Sequence, residues 1–219
     1  MFGLFNKYKL RDKVFKTDAY KWDFLINDIK KHLESDAVVI ITGHFKKTLD
    51  ILQDTLEKNA IKFEKSKNSI RASDIDLQKM KNSGIASIMH FDEANSFNNN
   101  YEFKGAKKET LIIIMIEHHP VPDQDNTIFS FANALPCKSE IICYTSLEEP
   151  FMCVFGGDRI ISLMDRLGIQ DECIENSALS GSIKSAQKKI KNQSYSNDIA
   201  DSAENWFSYN CPSLSDKIN

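Results

Sequence analysis

Continuous apolar runs alternate with amphipathic segments along the first three quarters of the chain. Residues 37–41 (AVVII) and 111–116 (LIIIMI) lack the alternating polar positions of a half-exposed strand, which is typical of strands buried on both faces. Between such runs, leucine and isoleucine recur at helical spacing. This alternation predicts an α/β domain whose parallel sheet is covered by helices on both faces. The predicted strands are residues 37–41, 61–64, 85–90, 111–116 and 140–145.

The helices follow from apolar spacing and from capping residues. Thr17 is placed to cap the first helix, and Gly168 lies where a helix usually ends. The predicted helices are residues 18–34, 46–59, 73–82, 123–135 and 180–191, with a further one ending near Gly168. The polar segment 95–109 is expected to be a mobile loop. We therefore divide the chain into an α/β domain with an N-terminal arm (1–168) and a helical extension (169–219) whose polar tail after Asn192 is expected to fray.

Charge and hydropathy restrict the class of protein. The 219-residue chain has a net charge of −3 and only four arginines among its 28 basic residues, which argues against nucleic acid as a partner. Apolar runs fall short of the roughly 20 residues that a membrane helix needs, and the start MFGLFNKYKL does not fit a signal peptide. The expectation is a cytoplasmic protein without a transmembrane segment. The lysines of the helix predicted at residues 180–191 are interpreted as its solvated face (Lys184, Lys188, Lys189, Lys191).

The cysteines do not indicate a metal or disulfide framework. There are five, an odd number, and none forms a Cys-x-x-Cys pair. We therefore expect reduced thiols and no structural metal.

The segment TSLEEPFMCVFGGDRIISLMDRLGI (145–169) is more particular than an amphipathic helix requires. It resembles the end of the second RecA-like motor domain of SecA, the bacterial preprotein-translocase ATPase, which has Leu-Ser-x-Glu-Asp and Phe-Gly-x-x-Arg strings and a helix ending in Leu-Gly-Met. VFKTDAYKWDFLINDIKKHLESDAVVIITG (14–43) resembles the first helix and strand of that domain. ALSGSIKSAQKKIK (178–191) resembles the start of the scaffold helix, which contains Ile-x-x-Ala-Gln-x-Lys-Val. The resemblance covers about residues 12–192 and implies a RecA-like fold of the P-loop NTPase class.

The resemblance also implies which catalytic groups an ATPase would need. In such motors ATP lies between two RecA-like halves: the first supplies a P-loop, and the second a glycine-rich loop and arginines. This chain has no P-loop, because its only adjacent glycines, Gly156 and Gly157, precede an aspartate. Phe91 and Glu93 stand at the two glycines of the family's glycine-rich loop, and Asp92 stands at its arginine.

The family's arginine cluster is also replaced. Its segment Asp-Asn-Gln-Leu-Arg-Gly-Arg-Ser-Gly-Arg aligns with residues 125–134, where Asp125 and Asn126 are kept. Phe129, Phe131 and Ala134 stand at the three arginines. Because one arginine finger is worth about 10³–10⁵ in rate, the resemblance implies a domain that has lost ATP hydrolysis.

The end of the strand at 111–116 carries the best candidate binding site. We expect a degenerate edge of the nucleotide site formed by Glu117, His118, Asp125, Asn126, Phe129 and Phe131. Glu117, His118 and His119, with Asp123 and Asp125, could instead hold zinc, but a solvated turn is the preferred interpretation. FDEAN (91–95) mimics a magnesium-binding Asp-Glu pair and is interpreted as a surface loop.

The leading hypothesis is a non-hydrolytic, SecA-like module that binds or regulates a protein partner, which the resemblance suggests belongs to the translocation machinery. The alternative is half of a split ATPase that completes an ATP site with a P-loop-bearing subunit. A nucleic-acid-binding helicase remnant is a third reading. No cofactor is expected, and weak binding of ATP or ADP without turnover is left open.

Overall fold

A computed structural model of the chain describes residues 8–35, 37–65, 80, 83–89, 110–135, 137–169 and 173–218. Six strands within these residues form one sheet in the order β1-β6-β5-β2-β4-β3, and every neighbouring pair is parallel. The strands are β1 (Tyr8–Phe15), β2 (Val38–Thr42), β3 (Phe63–Lys65), β4 (Ala86–Met89), β5 (Thr110–Met115) and β6 (Lys138–Ser146). This is an α/β domain with a parallel sheet, as the apolar runs predict, and it is consistent with the RecA-like fold that the resemblance implies.

Helices cover both faces of the sheet. They are α1 (Asp18–Glu34), α2 (Lys46–Lys58), α3 (Pro122–Ala134), α4 (Pro150–Cys153), α5 (Gly157–Arg166), α6 (Ser177–Lys191), α7 (Ala203–Asn210) and α8 (Pro212–Ser215). Buried residues of α1 and α2 pack with one face of the central strands, and buried residues of α3 pack with the other face. Thr17 caps α1 as predicted, its hydroxyl accepting the Tyr20 N–H. No helix in the described residues is both long and apolar enough to cross a bilayer.

Strand β1 was not predicted, since the start of the chain was interpreted as a packed arm. All eight of its residues pair with β6, from Tyr8 opposite Ser139 to Phe15 opposite Ser146. Its sequence, YKLRDKVF, mixes charged and apolar residues because it lies at the edge of the sheet and is only partly buried. A continuous apolar run, which identified β2 and β5, is therefore missing from it.

Several predicted features lie outside the described residues. These are the helix at 73–82 apart from residue 80, the loop at 95–109, the FDEAN segment, and the positions Phe91, Asp92 and Glu93 that replace the family's glycine-rich loop.

The strand order creates a crevice between β2 and β5. From β2 the chain continues toward β3 and β4 on one side, and from β5 it continues to β6 on the other. Helix α2, which follows β2, and helix α3, which follows β5, therefore pack on opposite faces. In doubly wound domains, ligands bind at such a switch point, beside the carboxyl ends of the strands.

The C-terminal extension packs onto this same edge instead of fraying after Asn192. Trp206 and Phe207 are at most 1% exposed and share a core cluster with Phe45, which precedes α2, and with Phe151 of α4. Asn210 is fully buried, and its side-chain oxygen accepts the Asp198 N–H at 2.5 Å. The segment is polar in composition, but a few large aromatic residues are sufficient to hold it.

The Phe-Gly-Gly-Asp-Arg string has a steric explanation at the start of α5. A Cβ atom on Gly157 would lie 2.1 Å from the carbonyl oxygen of Leu147, which is backbone and cannot rotate away. Gly157 thus permits α5 to approach the end of β6 closely, which any side chain would prevent.

Gly157→Ala is expected to lower the free energy of unfolding by about 1–3 kcal/mol, the usual cost of overpacking. The matched control is Gly181→Ala, because a Cβ atom on Gly181 in α6 meets nothing within 4 Å. That exposed substitution should stabilise the protein by about 0.5–1 kcal/mol, since alanine favours helix over glycine. Urea unfolding followed by circular dichroism measures both; equal stabilities of the two variants would contradict the steric explanation.

Candidate functional site

Glu117 closes the crevice between β2 and β5. One of its carboxylate oxygens accepts the backbone N–H groups of His44 at 2.8 Å and Phe45 at 2.9 Å, and the other accepts the Thr48 hydroxyl at 2.7 Å. These donors lie at the N-terminus of α2, where the helix dipole favours negative charge. The anion-binding position of this helix is therefore occupied by a carboxylate of the chain itself.

Gly43 makes this arrangement possible. A Cβ atom there would lie 2.9 Å from Ile116 Cγ1 and 3.1 Å from the Glu117 carboxylate. The backbone after β2 can therefore approach the end of β5 closely enough for Glu117 to reach α2.

A buried chain of charged groups lies beside Glu117. His118 Nδ1 is 2.6 Å from Asp125 Oδ2, and His118 Nε2 is 2.9 Å from Asp12 Oδ1. All three side chains are at most 4% exposed. Asp12 comes from β1, His118 from the end of β5, and Asp125 from the first turn of α3, so the three groups connect distant parts of the chain.

The pairing determines the charge state of these groups. Burial alone would lower the pKa of His118, but the two carboxylates raise it well above its ordinary value. Burial would raise the pKa of Asp125, but the His118 imidazolium holds it far below its usual range. A histidine with a carboxylate at each ring nitrogen donates from both, which only the cation can do.

Asp125 has further polar contacts with three other segments. Its Oδ1 accepts the backbone N–H of His119 at 3.0 Å, and its Oδ2 accepts the side-chain amide of Gln187 in α6 at 2.7 Å. His44 Nε2 also lies 2.7 Å from Oδ1. Asp125 is therefore the point at which α3, α6 and the loops after β2 and β5 meet.

His119 belongs to the aromatic core and stays neutral. Its ring stacks on Phe45 and meets Trp206 edge-on, with ring centroids 5.4 Å apart in both contacts. Burial, together with the neighbouring His44, lowers the pKa of His119 to about 3. His119 thus connects the C-terminal extension to the crevice.

The acidic pair in TSLEEP holds helix α1. Glu149 binds the buried ammonium of Lys21 at 2.5 Å, and Lys21 also donates to the Ile116 carbonyl at 3.2 Å. Burial opposes charge on Lys21, but Glu149 raises its pKa above the ordinary value. Glu148 accepts the backbone N–H of Asp18 at 2.8 Å. Two of the segments that carry the SecA resemblance are therefore bonded to each other.

A cavity of about 320 Å³ opens between β1, α3 and α6. Its polar lining includes Asp12, His118 and Asp125, and Tyr8 and Phe129 stack on its wall with centroids 5.7 Å apart. A smaller cavity of about 170 Å³ lies on the other side of His118, near Lys21 and Glu117.

The structure separates the six predicted site residues into three groups. His118, Asp125, Asn126 and Phe129 line the larger cavity. Glu117 binds the N-terminus of α2 instead, and Phe131 is fully buried in the core between α3 and the sheet.

The solvated turn expected at residues 117–119 is wrong. Glu117, His118 and His119 are each at most 6% exposed. Burial is possible because backbone donors, carboxylates and aromatic rings satisfy each side chain. The lysines of α6 are exposed, as predicted (Lys184, Lys188, Lys189, Lys191).

Sequence reasoning missed Asp12, His44 and Gln187. Asp12 was hidden because β1 was not recognised as a strand. Gln187 had a signal, since it is the glutamine of the Ile-x-x-Ala-Gln string that resembles the scaffold helix. Its burial against Asp125 gives a physical reason for that string.

Comparisons with known proteins agree with the fold. No protein-family model matches the chain. The protein translocase subunit SecA of Sulfurimonas denitrificans is 28% identical over 194 residues, which are 85% of this chain and 22% of that protein. SecA of Bacteroides fragilis is 26% identical over 85% of this chain and 17% of its own length. SecA of Pelodictyon phaeoclathratiforme is 38% identical over 87 residues, which are 39% of this chain and 8% of that protein.

The sheet, its crevice and these relatives together define the class, a RecA-like α/β domain. The chain is similar to SecA proteins over most of its own length and spans about a fifth of the length of the relatives that match most of it.

Asp125→Asn is expected to lower the free energy of unfolding by about 3–5 kcal/mol, because an amide leaves the buried His118 cation with only one of its two carboxylate partners. Asp123→Asn is the matched control in the same helical turn. Asp123 is about half exposed and pairs with Lys191 at the surface, so its loss should cost less than about 1 kcal/mol. Denaturant unfolding compares them, and a difference below about 1 kcal/mol would contradict the central role of Asp125.

Proposed function

We propose that this chain is a SecA-like motor-domain homologue that does not hydrolyse ATP and acts as a cytoplasmic binding or regulatory module in protein translocation. The supporting observation is the position of Glu117, whose carboxylate takes the N–H donors of His44 and Phe45 at the switch point. A nucleotide phosphate would have to displace this carboxylate from the two N–H donors. It would then lie close to the negative charge of Glu117.

The residues around the crevice also disfavour the binding of a phosphate group. The smaller cavity beside Glu117 is lined by four carboxylates, Asp18, Glu117, Glu149 and Glu204, and by three basic residues, Lys21, Lys47 and His118. His118 is already paired with Asp12 and Asp125. Lys21 is already neutralised by Glu149. At about 170 Å³ the cavity is also below the roughly 300 Å³ at which small-molecule sites begin.

The carboxyl edge is the proposed docking surface, because in a two-part motor this edge faces the other half. Around the larger cavity it presents the exposed Asn126 and Lys184 and the half-buried Phe129. A half-buried aromatic residue beside exposed polar groups is typical of protein interfaces. SecA relatives are named as translocase subunits, so the proposed partner is a protein of the translocation machinery.

Titration of the purified chain with ATP or ADP and Mg²⁺ should give no saturable heat, because Glu117 occupies the anion-binding end of α2. Isothermal calorimetry makes the measurement, and Glu117→Gln, which removes the competing charge while keeping the size, serves as the comparison. Saturable binding of one nucleotide by the unsubstituted chain would contradict the proposal.

The same purified chain is used to test the split-ATPase alternative. Mixing the chain with a P-loop-bearing motor half should leave the ATP turnover of that half unchanged. Turnover that rises on mixing, and is lost with Asn126→Ala, would favour the alternative; Asn126 is exposed, so this substitution spares the buried network.

A photo-crosslinking amino acid at Asn126 should capture a component of the translocation machinery in cells. The control position is Asn59, which is exposed at the C-terminal end of α2 and so lies at the opposite edge of the sheet. Mass spectrometry identifies the proteins crosslinked at each of the two positions. Equal adducts from both positions, or adducts without a translocation component, would remove support from the docking surface.

A further inference from the structure

Three metal-ligating side chains converge at the inner end of the larger cavity. The ligand atoms of Asp12, His118 and Cys143 all lie within 4.8 Å of one another, and the three residues are buried. The sheet itself creates this arrangement, because Asp12 in β1 pairs directly with Cys143 in β6. Side chains of directly paired residues emerge on the same face of a sheet, and His118 Nε2 reaches Asp12 from the end of neighbouring β5.

We propose that Asp12, His118 and Cys143 bind a Zn²⁺ ion. Carboxylate oxygen, imidazole nitrogen and thiolate sulfur are the three ligand types that zinc uses in proteins. Asp12 and His118 also line the larger cavity, so an ion held by the three side chains would have a route to water on that side. Three protein ligands and one open position are the pattern of zinc sites that polarise a bound water or a small ligand.

Asp125 gives the histidine the orientation that a zinc ligand needs. It accepts from His118 Nδ1 at 2.6 Å, which directs Nε2 toward Asp12. Asp125 is itself fixed by the His119 N–H and by Gln187. In many zinc sites, a carboxylate accepts a hydrogen bond from the histidine ring nitrogen that does not bind the metal.

The charges of the cluster also suit a divalent cation. Without metal, two carboxylates surround one imidazolium, and Cys143 carries its thiol proton. Zinc would replace the Nε2 proton of His118 and the thiol proton of Cys143, both released to water, so the net charge of the buried cluster would not change. The interior therefore accommodates the ion without a new uncompensated charge.

Cys143 distinguishes this proposal from a purely ionic network. The Asp12–His118–Asp125 pairing accounts for the carboxylates without any sulfur. The Cys143 thiol has a weak contact with Thr145 Oγ1 at 3.8 Å, and it also interacts with the His118 ring. A metal ion would convert this thiol to a bound thiolate, as zinc does in other proteins.

Cobalt is the spectroscopic probe, because Co²⁺ occupies zinc sites and absorbs light. Titrating the chelator-treated chain with Co²⁺ should give tetrahedral visible bands and a near-ultraviolet thiolate band that saturate at one equivalent and disappear with Zn²⁺. Cys143→Ser should lose the thiolate band, whereas Cys137→Ser, at another buried thiol of the same sheet face, should keep it. Asp12→Asn should weaken binding by at least about 10-fold.

X-ray absorption of the zinc-loaded, unsubstituted chain identifies the zinc ligands without any variant, so it remains informative if a variant does not fold. It should show one sulfur ligand at about 2.3 Å. A thiolate band that persists in Cys143→Ser, or a zinc spectrum without sulfur, would overturn the assignment. The result is independent of the proposed function, since neither outcome depends on nucleotide or partner binding.

Discussion

The contacts of the Asp125 carboxylate connect four elements at the carboxyl edge of the sheet. It binds the His118 cation, the His119 N–H and the Gln187 amide, and through His118 it reaches Asp12 in β1. Buried charges are costly unless each has its partner. The network therefore favours the one arrangement in which β1, the end of β5, α3 and α6 are all in place. A purely apolar core would fix these relative positions less strictly, since hydrophobic contacts are not directional.

Glu117 connects this architecture to function. Open α/β sheets leave a crevice at the switch point, and many proteins of this class fill it with a ligand phosphate. Here the donors of the α2 N-terminus satisfy a carboxylate from the adjacent loop, with Gly43 providing the space. The fold is thus complete at the crevice without a nucleotide. This agrees with a domain that retains the shape of a motor half and uses its edge for docking.

The sequence predicted the fold well and the site only in part. Continuous apolar runs identified β2 and β5, and Thr17 marked the start of α1, because both signals depend on neighbouring residues. Glu117, His118 and Asp125 were singled out from the sequence, but their burial was not foreseen, since it depends on the distant partners Asp12 and Gln187. Edge strand β1 lacks an apolar run, which hid Asp12. Trp206 and Phe207 gave no periodic signal in a polar tail, although together they hold it against Phe45.

The position of β1 at the sheet edge has a consequence for the order of folding. Asp12 and His118 are 106 positions apart, and among the strands that the structure describes β1 is paired with β6, which is synthesised much later. During translation the first strand must therefore remain without its neighbour until most of the domain has emerged from the ribosome. Because long-range pairing of this kind is slow to form, the charged residues of β1 protect an exposed strand from premature association with other chains.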